Sequence, residues 1–332
     1  MKRVIVTIDR FESILLLLLV SVLFYLVQPI RTEKNLELRS DASEKIISQL
    51  QKRGYALAWP DRFLLRMLGR PERGWIYLGS ERMSRLDFLH RLASSDRFVR
   101  ITLIPGETSV IFFDQMGHRL HKNPEKLFAA YRSLSPYPEG GILAESYNIP
   151  LRYDAHQAVQ YLINLSEKRF RRLARENGIT YTPKSWQRIL TVASIIQKEA
   201  ANRSEMPIVA SVIYNRLKKR MRLQMDGTLN YGRYSHIRVT PRRIREDNSS
   251  YNTYRHRGLP AAPVCNVSAT AIRAALHPAR TDYLYFFRND RGTHDFFRDY
   301  RAHLREVRAK RKELKRGEKH TKSLPHSKPS GQ

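Results

Sequence analysis

Glu199 is the residue whose type and setting first suggest chemistry. It closes the stretch TPKSWQRILTVASIIQKEA, Thr182 to Ala200, at a place where helical periodicity calls for an apolar side chain. At about 100° per residue, Ile189, Val192, Ile195, Ile196 and Ala200 share one arc. Glu199 projects between the directions of Val192 and Ile195, and Lys198 points away. A carboxyl set among isoleucine and valine is penalised in its charged form. Its pKa rises, and a protonated acid persists near neutral pH, which is what general acid catalysis needs. The same spacing also fits a snorkelling or ion-paired glutamate at the edge of a core helix. Further on, LQMDGTLNYG sets Gln224 and Asp226 on one side of an extended segment if side chains alternate. That pair suits hydrogen bonding to hydroxyls and amides, or forms a plain polar turn at Asp-Gly. YNTYRHRGLPAAPVCN adds Asn252, Tyr254 and Arg255 ahead of a stiff proline turn. A tyrosine ring can stack on a sugar face and a carboxamide can hold an amide; the same residues also make an ordinary structured loop.

Helices must hold these groups. Thr182 is a capping residue and Pro183 suits a first helical position, so the helix ending at Glu199 starts there. A second helix follows, with Ser204 as its cap, Pro207 in its first turn and a stripe of Ile208, Val209, Val212, Ile213 and Leu217. SATAIRAALHP reads as a short helix capped by Ser268, and TDYLYFF as a strand ended by the turn NDRG. His294 and His303 have no partner at metal-ligand spacing, so neither a metal nor an organic cofactor is expected. Cys265 is the single cysteine, which excludes an internal disulfide and fits a small buried hydrophobe.

The N-terminal third divides differently. SILLLLLVSVLFYLV, Ser13 to Val27, is an unbroken apolar run that approaches bilayer length with Phe11. Lys2, Arg3 and Arg10 precede it, and no small-x-small cleavage site follows, so a retained single-pass anchor with its N terminus inside is expected. The expected divisions are a cytoplasmic N terminus at 1–10, the transmembrane anchor at 11–28, a linker at 29–41, a small α/β module at 42–108, a mixed α+β domain at 109–303 and a basic disordered tail at 304–332. In the module, helices are expected over 42–53, with Ile46, Ile47 and Leu50 inward, over 61–68, and around Leu86, Phe88, Leu89 and Leu92. GWIYLG and FVRITLIPGE read as strands.

The net charge is +29, from 60 Lys and Arg against 31 Asp and Glu. It is spread along the chain without zinc-finger spacing, RNP-like aromatics or a Gly-rich phosphate loop, so no nucleic-acid partner is expected. A basic surface also suits anionic lipid headgroups and the carboxylates of peptide stems.

ASIIQKEA, ASVIYNRLKKRMRLQMDGTLNYG, SSYNTYRHRGLPAAPVCN and TDYLYFFRNDRGTH, in this order between Ala193 and His303, resemble the signature blocks of the YceG-like endolytic murein transglycosylases. VRITLIPGETS and PEGGILAESY resemble the family more loosely, with PGE where it commonly has EG at the strand end. The resemblance implies an α+β fold with a LysM-like module before the catalytic domain. It implies cleavage of the MurNAc-GlcNAc bond within peptidoglycan strands, giving 1,6-anhydroMurNAc ends and terminating strand elongation. By the same resemblance Glu199 is the catalytic acid, Gln224, Asp226, Asn252 and Tyr254 bind substrate, the protein sits in the cytoplasmic (inner) membrane with its catalytic domain outside, and peptidoglycan synthases are its partners. Gln197 stands where the family commonly has a further glutamate, Ala200 where many lytic transglycosylases have Ser or Thr, and Gly227 where the family usually has proline. The other function these residues fit is a catalytically silent, membrane-anchored glycan-binding scaffold for the synthases.

Overall fold

The computed structural model describes residues 2–69, 71–94 and 97–309. The chain divides into two units, Met1–Ile101 with Tyr147–Asp154, and Thr102–Ser146 with Ala155–Gln332. The division falls a few residues before the expected boundary at 108, and the strand at 147 returns to the first unit.

The first unit begins with helix α1 (Lys2–Val27) and continues through β1 (Pro29–Arg31), β2 (Asn35–Leu38), α2 (Ser43–Lys52), α3 (Trp59–Leu68), β3 (Gly74–Tyr77), β4 (Arg82–Ser84), α4 (Arg85–Ser94), β5 (Arg97–Thr102) and β6 (Ser146–Pro150). The sheet order is β2-β3-β5-β6, with β1 and β4 as a separate antiparallel pair. β2 and β3 pair from Asn35 opposite Tyr77 to Leu38 opposite Gly74, so their alternation turns Leu36, Leu38 and Ile76 toward Ile46, Ile47 and Leu50 of α2 and Phe88, Leu89 and Leu92 of α4. The stretch 29–41, expected as a linker, therefore holds two strands, each too short for its alternation to be read. Leu86, expected inward on α4, is exposed. Arg85 takes the inward place, because its guanidinium meets the buried Asp61 carboxylate at 2.6 Å. Asp61 also accepts the Ala58 amide, which fixes the start of α3 two residues before the expected Asp61.

Among the described residues no helix is long and apolar enough to cross a membrane. The expected anchor at 11–28 begins at Phe11, whose side chain lies outside the described residues. Most of the large apolar side chains between Ile14 and Val27 are exposed.

The second unit contains α5 (Ser109–Leu120), α6 (Pro124–Leu134), α7 (Ala155–Glu176), α8 (Pro183–Glu199), α9 (Met206–Lys218), two 3₁₀ turns at Asp226–Leu229 and Gly232–Tyr234, α10 (Pro241–Glu246), α11 (Ala269–Leu276) and the hairpin β7 (Tyr285–Arg288) with β8 (His294–Phe297). Helix α8 is its centre. Thr182 Oγ1 accepts the Ser185 amide, and Ser185 Oγ faces the Thr182 amide in return, so the first turn is closed by its own side chains. Trp186 and every residue from Leu190 to Ile196 are buried, the mark of a helix packed on nearly all sides. Phe170 and Leu173 of α7, Val209 and Ile213 of α9 and Ile272 of α11 share its core.

Residues 300–309 continue as helix. The remainder of the basic tail, 310–332, lies outside the described residues.

Candidate active site

Glu199 is the last residue of α8, and Ala200 is its C-cap. The arc proposed from periodicity holds for Val192, Ile195 and Ile196, all buried, whereas Ile189 and Ala200 are only partly so. Glu199 itself is partly buried. Burial pushes its carboxyl up from 4.5 to about 7; the Gly227 amide and the Arg216 charge pull it down, and the Asp226 charge adds to the rise. Gly227 N–H donates to Glu199 Oε1 at 2.7 Å. The acid is thus held by one oxygen and poised to titrate near neutrality, as a group that gives and takes a proton must be.

The segment carrying Gln224 and Asp226 is laid against this carboxyl by threonines. Gln224 N–H donates to the Thr253 carbonyl at 3.2 Å and Met225 N–H to Thr253 Oγ1 at 3.2 Å, while Thr228 Oγ1 lies 2.9 Å from Thr253 Oγ1. Leu223 and Met225 are buried and Gln224 and Asp226 exposed, so the two polar side chains do alternate to the outer side. Gln224 has φ of 48°, an uncommon left-handed position for a residue with a side chain. Tyr254 OH donates to Asp226 Oδ1 at 2.7 Å, so Glu199, Gly227, Asp226 and Tyr254 form one cluster.

Asn252 is a correction to the sequence expectation. Its side chain is 0% exposed. Nδ2 donates to the Ile244 and Asp247 carbonyls, both at 2.8 Å, and Oδ1 accepts the Tyr254 amide at 3.1 Å. Its amide hydrogens are spent on the backbone, and it positions Tyr254 instead of reaching a ligand. Asn252→Ala is therefore expected to lower stability by about 2 kcal/mol, since it strands buried carbonyls. Chemical denaturation checks this; an unchanged midpoint with a raised KM would instead favour direct ligand contact.

The neighbours of Glu199 are also occupied. Gln197 Oε1 accepts the Ser268 amide at 3.2 Å and the Ser268 hydroxyl at 2.8 Å, tying α8 to the start of α11. Lys198, expected to point away, is partly buried and reaches Ser235 Oγ at 3.0 Å. Ser204 does not cap α9. Glu205 occupies that position, and its carboxylate accepts the Ala201 amide and meets His294 Nδ1 at 2.8 Å. The Ser268 bonds brace α8 just before Glu199, and the Glu205 contacts brace the chain just after it. Tyr214 and Asn215 bond to carbonyls at Ala275, Thr281 and Tyr283, and the buried Arg216 guanidinium bonds to those of Leu284 and Leu223 while its charge acts on the Glu199 carboxyl.

Sequence reasoning missed three features. Gly227 N–H was invisible because backbone donors carry no residue signature. Glu139 is a second carboxyl raised by burial, held by the Ser109 amide and hydroxyl and the Gly140 amide. Glu107, also buried, accepts the Thr108 amide and faces His236 at 2.8 Å. The signal for both was their position in PEGG and PGET, but only the fold gives them partners.

Residues 38–309 match the YceG-like family. The chain belongs to the YceG-like family. One relative, the endolytic murein transglycosylase of Bacillus subtilis (strain 168), is 40% identical over 119 residues, 36% of this chain and 33% of its own length. Another of that name, from Streptococcus pneumoniae serotype 2 (strain D39 / NCTC 7466), is 33% identical over 103 residues, 30% of this chain and 19% of its own. The matched part of this YceG-like chain thus spans a third or less of these relatives. A crystal structure of a YceG-like protein from Listeria monocytogenes covers 82% of this chain and 99% of its own at a TM-score of 0.53 and 21% identity, which shows a shared fold.

Proposed function

We propose that this YceG-like protein is a membrane-anchored endolytic transglycosylase that cuts the MurNAc-GlcNAc β-1,4 bond within peptidoglycan strands. The observation that carries this is the Glu199 carboxyl, raised to about 7 and held on one oxygen by Gly227 beside the outward-facing Asp226 and Tyr254. Protonated Glu199 gives its proton to the glycosidic oxygen as the bond to C1 of MurNAc breaks and GlcNAc leaves with its new hydroxyl. The resulting carboxylate takes the proton from the MurNAc C6 hydroxyl, whose oxygen closes on C1. The product is a 1,6-anhydro end, the acid is restored, and no water is consumed. One carboxyl serves both halves, by microscopic reversibility. Asp226, with Tyr254 bonded to it, bears the negative charge that stabilises positive charge developing at C1, and Gln224 lies beside it for sugar hydroxyls. Gln197 in place of a further glutamate leaves Glu199 as the acid at the end of α8.

The remaining features of this function rest on sequence and likeness. The apolar run up to Val27 is the anchor in the cytoplasmic membrane, the first unit holds glycan as a LysM-like module, and the cuts terminate nascent strands made by partner synthases.

The pH profile follows in sign. The reaction starts from the protonated acid, so kcat/KM falls as pH rises through about 7. A pH-rate series with purified strands checks this; a limb near 4.5 would mean that the acid is a carboxyl whose pKa burial does not raise. For the function itself, full-length protein in detergent is incubated with purified sacculi and the products are read by mass spectrometry. New 1,6-anhydroMurNAc ends are expected. Glycan binding without such ends would replace the enzyme by a scaffold for synthases.

A further inference from the structure

The first unit exposes an apolar stripe that its own core does not use. On α3, Trp59, Phe63 and Met67 are 78%, 61% and 69% exposed. They stand four residues apart and so line one face, with exposed Arg66 along its edge; Arg62, further round the helix, is paired with Glu44 at 3.1 Å. The opposite face buries Asp61 and Leu65. Three large side chains in contiguous register, one of them tryptophan, are more than the scattered exposure normal for a surface.

Where this face lies follows from Arg85. Its Nη1 is 2.6 Å from Asp61 Oδ2, in the first turn of α3, and 3.1 Å from the hydroxyl of Tyr25, two residues before the end of α1. The guanidinium also lies 4.2 Å from the centre of the Tyr25 ring. One side chain therefore fixes the start of α3 to the last turn of the exposed apolar helix. A helix is roughly 10–12 Å across, and an interfacial helix buries its apolar face roughly 5–10 Å into the boundary between headgroups and acyl chains. With Tyr25 at the membrane interface, a position tyrosine favours, α3 lies within reach of the headgroup layer.

We propose that α3 is an interfacial helix that lies on the bilayer beside the anchor, with Trp59, Phe63 and Met67 among the acyl-chain boundary and Arg66 on anionic headgroups. This rests on reading α1 as the anchor. Its occupant is the lipid surface, for two reasons: Arg85 ties the start of α3 to the last turn of the apolar helix through Asp61 and Tyr25, which sets α3 beside that helix, and exposed Arg66 makes the edge of the stripe cationic. Residues 29–101 carry fifteen Lys and Arg against nine Asp and Glu, a balance that favours an anionic surface. The consequence is a first unit pinned at two points, the end of α1 and the face of α3, so that it does not swing freely about a single tether.

The test uses full-length protein carrying Phe63→Cys labelled with an environment-sensitive dye, reconstituted into vesicles of phosphatidylglycerol and phosphatidylcholine. Cys265 is fully buried and stays unlabelled. Exposed Lys184→Cys on α8 gives the aqueous reference. The expected result is a blue-shifted emission at 63, quenched by nitroxide lipid several-fold more than at 184. Water-like emission at 63 on protein that floats with the vesicles overturns the inference and leaves the anchor standing. A blue shift that follows protein density and ignores nitroxide lipid overturns it in favour of a second copy. Failure to float with vesicles removes the anchor, and the inference with it.

Discussion

Glu199→Gln is expected to reduce the formation of anhydro ends by at least about 10²–10⁴-fold, the range that a positioned acid and base supplies, and to leave the fold intact. The amide matches the carboxyl in shape, and its Oε1 still accepts the Gly227 hydrogen bond. It cannot deliver a proton to the leaving oxygen. Stability gives an independent readout. In the unfolded chain the carboxyl ionises above about 4.5, whereas in the folded protein it keeps its proton up to about 7. Between these values the native state binds more protons than the unfolded state, so stability falls as pH rises through this window and levels off above it. The size is on the order of 2–3 kcal/mol. The variant lacks this contribution, so wild type minus variant isolates it. Denaturation midpoints from pH 4 to 8 check the slope, and product assays at the same pH values check the activity. A variant that keeps its activity would remove Glu199 from the chemistry.

Gly227→Ala is expected to cost nearly as much. A Cβ at Gly227 would lie 2.5 Å from Lys198 Cβ and 2.8 Å from Glu199 Oε1. Neither neighbour is a free side-chain tip, since one is fixed to α8 and the other is the acid itself. The segment 224–228 must move away, and Asp226 moves with it. A displacement of about 1 Å at the reacting groups costs on the order of 100-fold in rate, and overpacking costs about 1–3 kcal/mol of stability. A lengthened Gly227 to Glu199 contact also weakens the donor that favours the carboxylate, so the limb of the pH profile moves upward from about 7. Rate and pH profile should change together. Loss of stability with an unmoved limb would confine Gly227 to packing.

The contrast between Glu199 and Asn252 shows what was legible in the chain. Glu199 sits at the end of a helix whose start is signalled by Thr182 and Pro183, and its apolar setting is written in residues three to seven positions away. Local periodicity gave that setting, while the choice of this carboxyl as the acid came from the resemblance. Asn252 has the right chemistry for a ligand, but its amide is spent on carbonyls at 244 and 247, which come within reach only when α10 and the following loop fold back. Residue type alone could not tell the two uses apart. Arg85 differs for a similar reason: it turns inward, against its hydrophilicity, because Asp61 is buried opposite it. Ser204 is the expected cap of α9, but Glu205 occupies that position without a side-chain cap, because its carboxylate meets His294, eighty-nine positions on. The strands in 29–41 are three and four residues long, too short to alternate visibly.

The most direct test of a single carboxyl acting first as acid and then as base is to digest sacculi in water enriched in heavy oxygen and weigh the new ends. Closure by the MurNAc C6 hydroxyl predicts dehydrated ends carrying no label. Labelled reducing ends would mean that water attacks C1, and would contradict the intramolecular closure on which the proposed function stands.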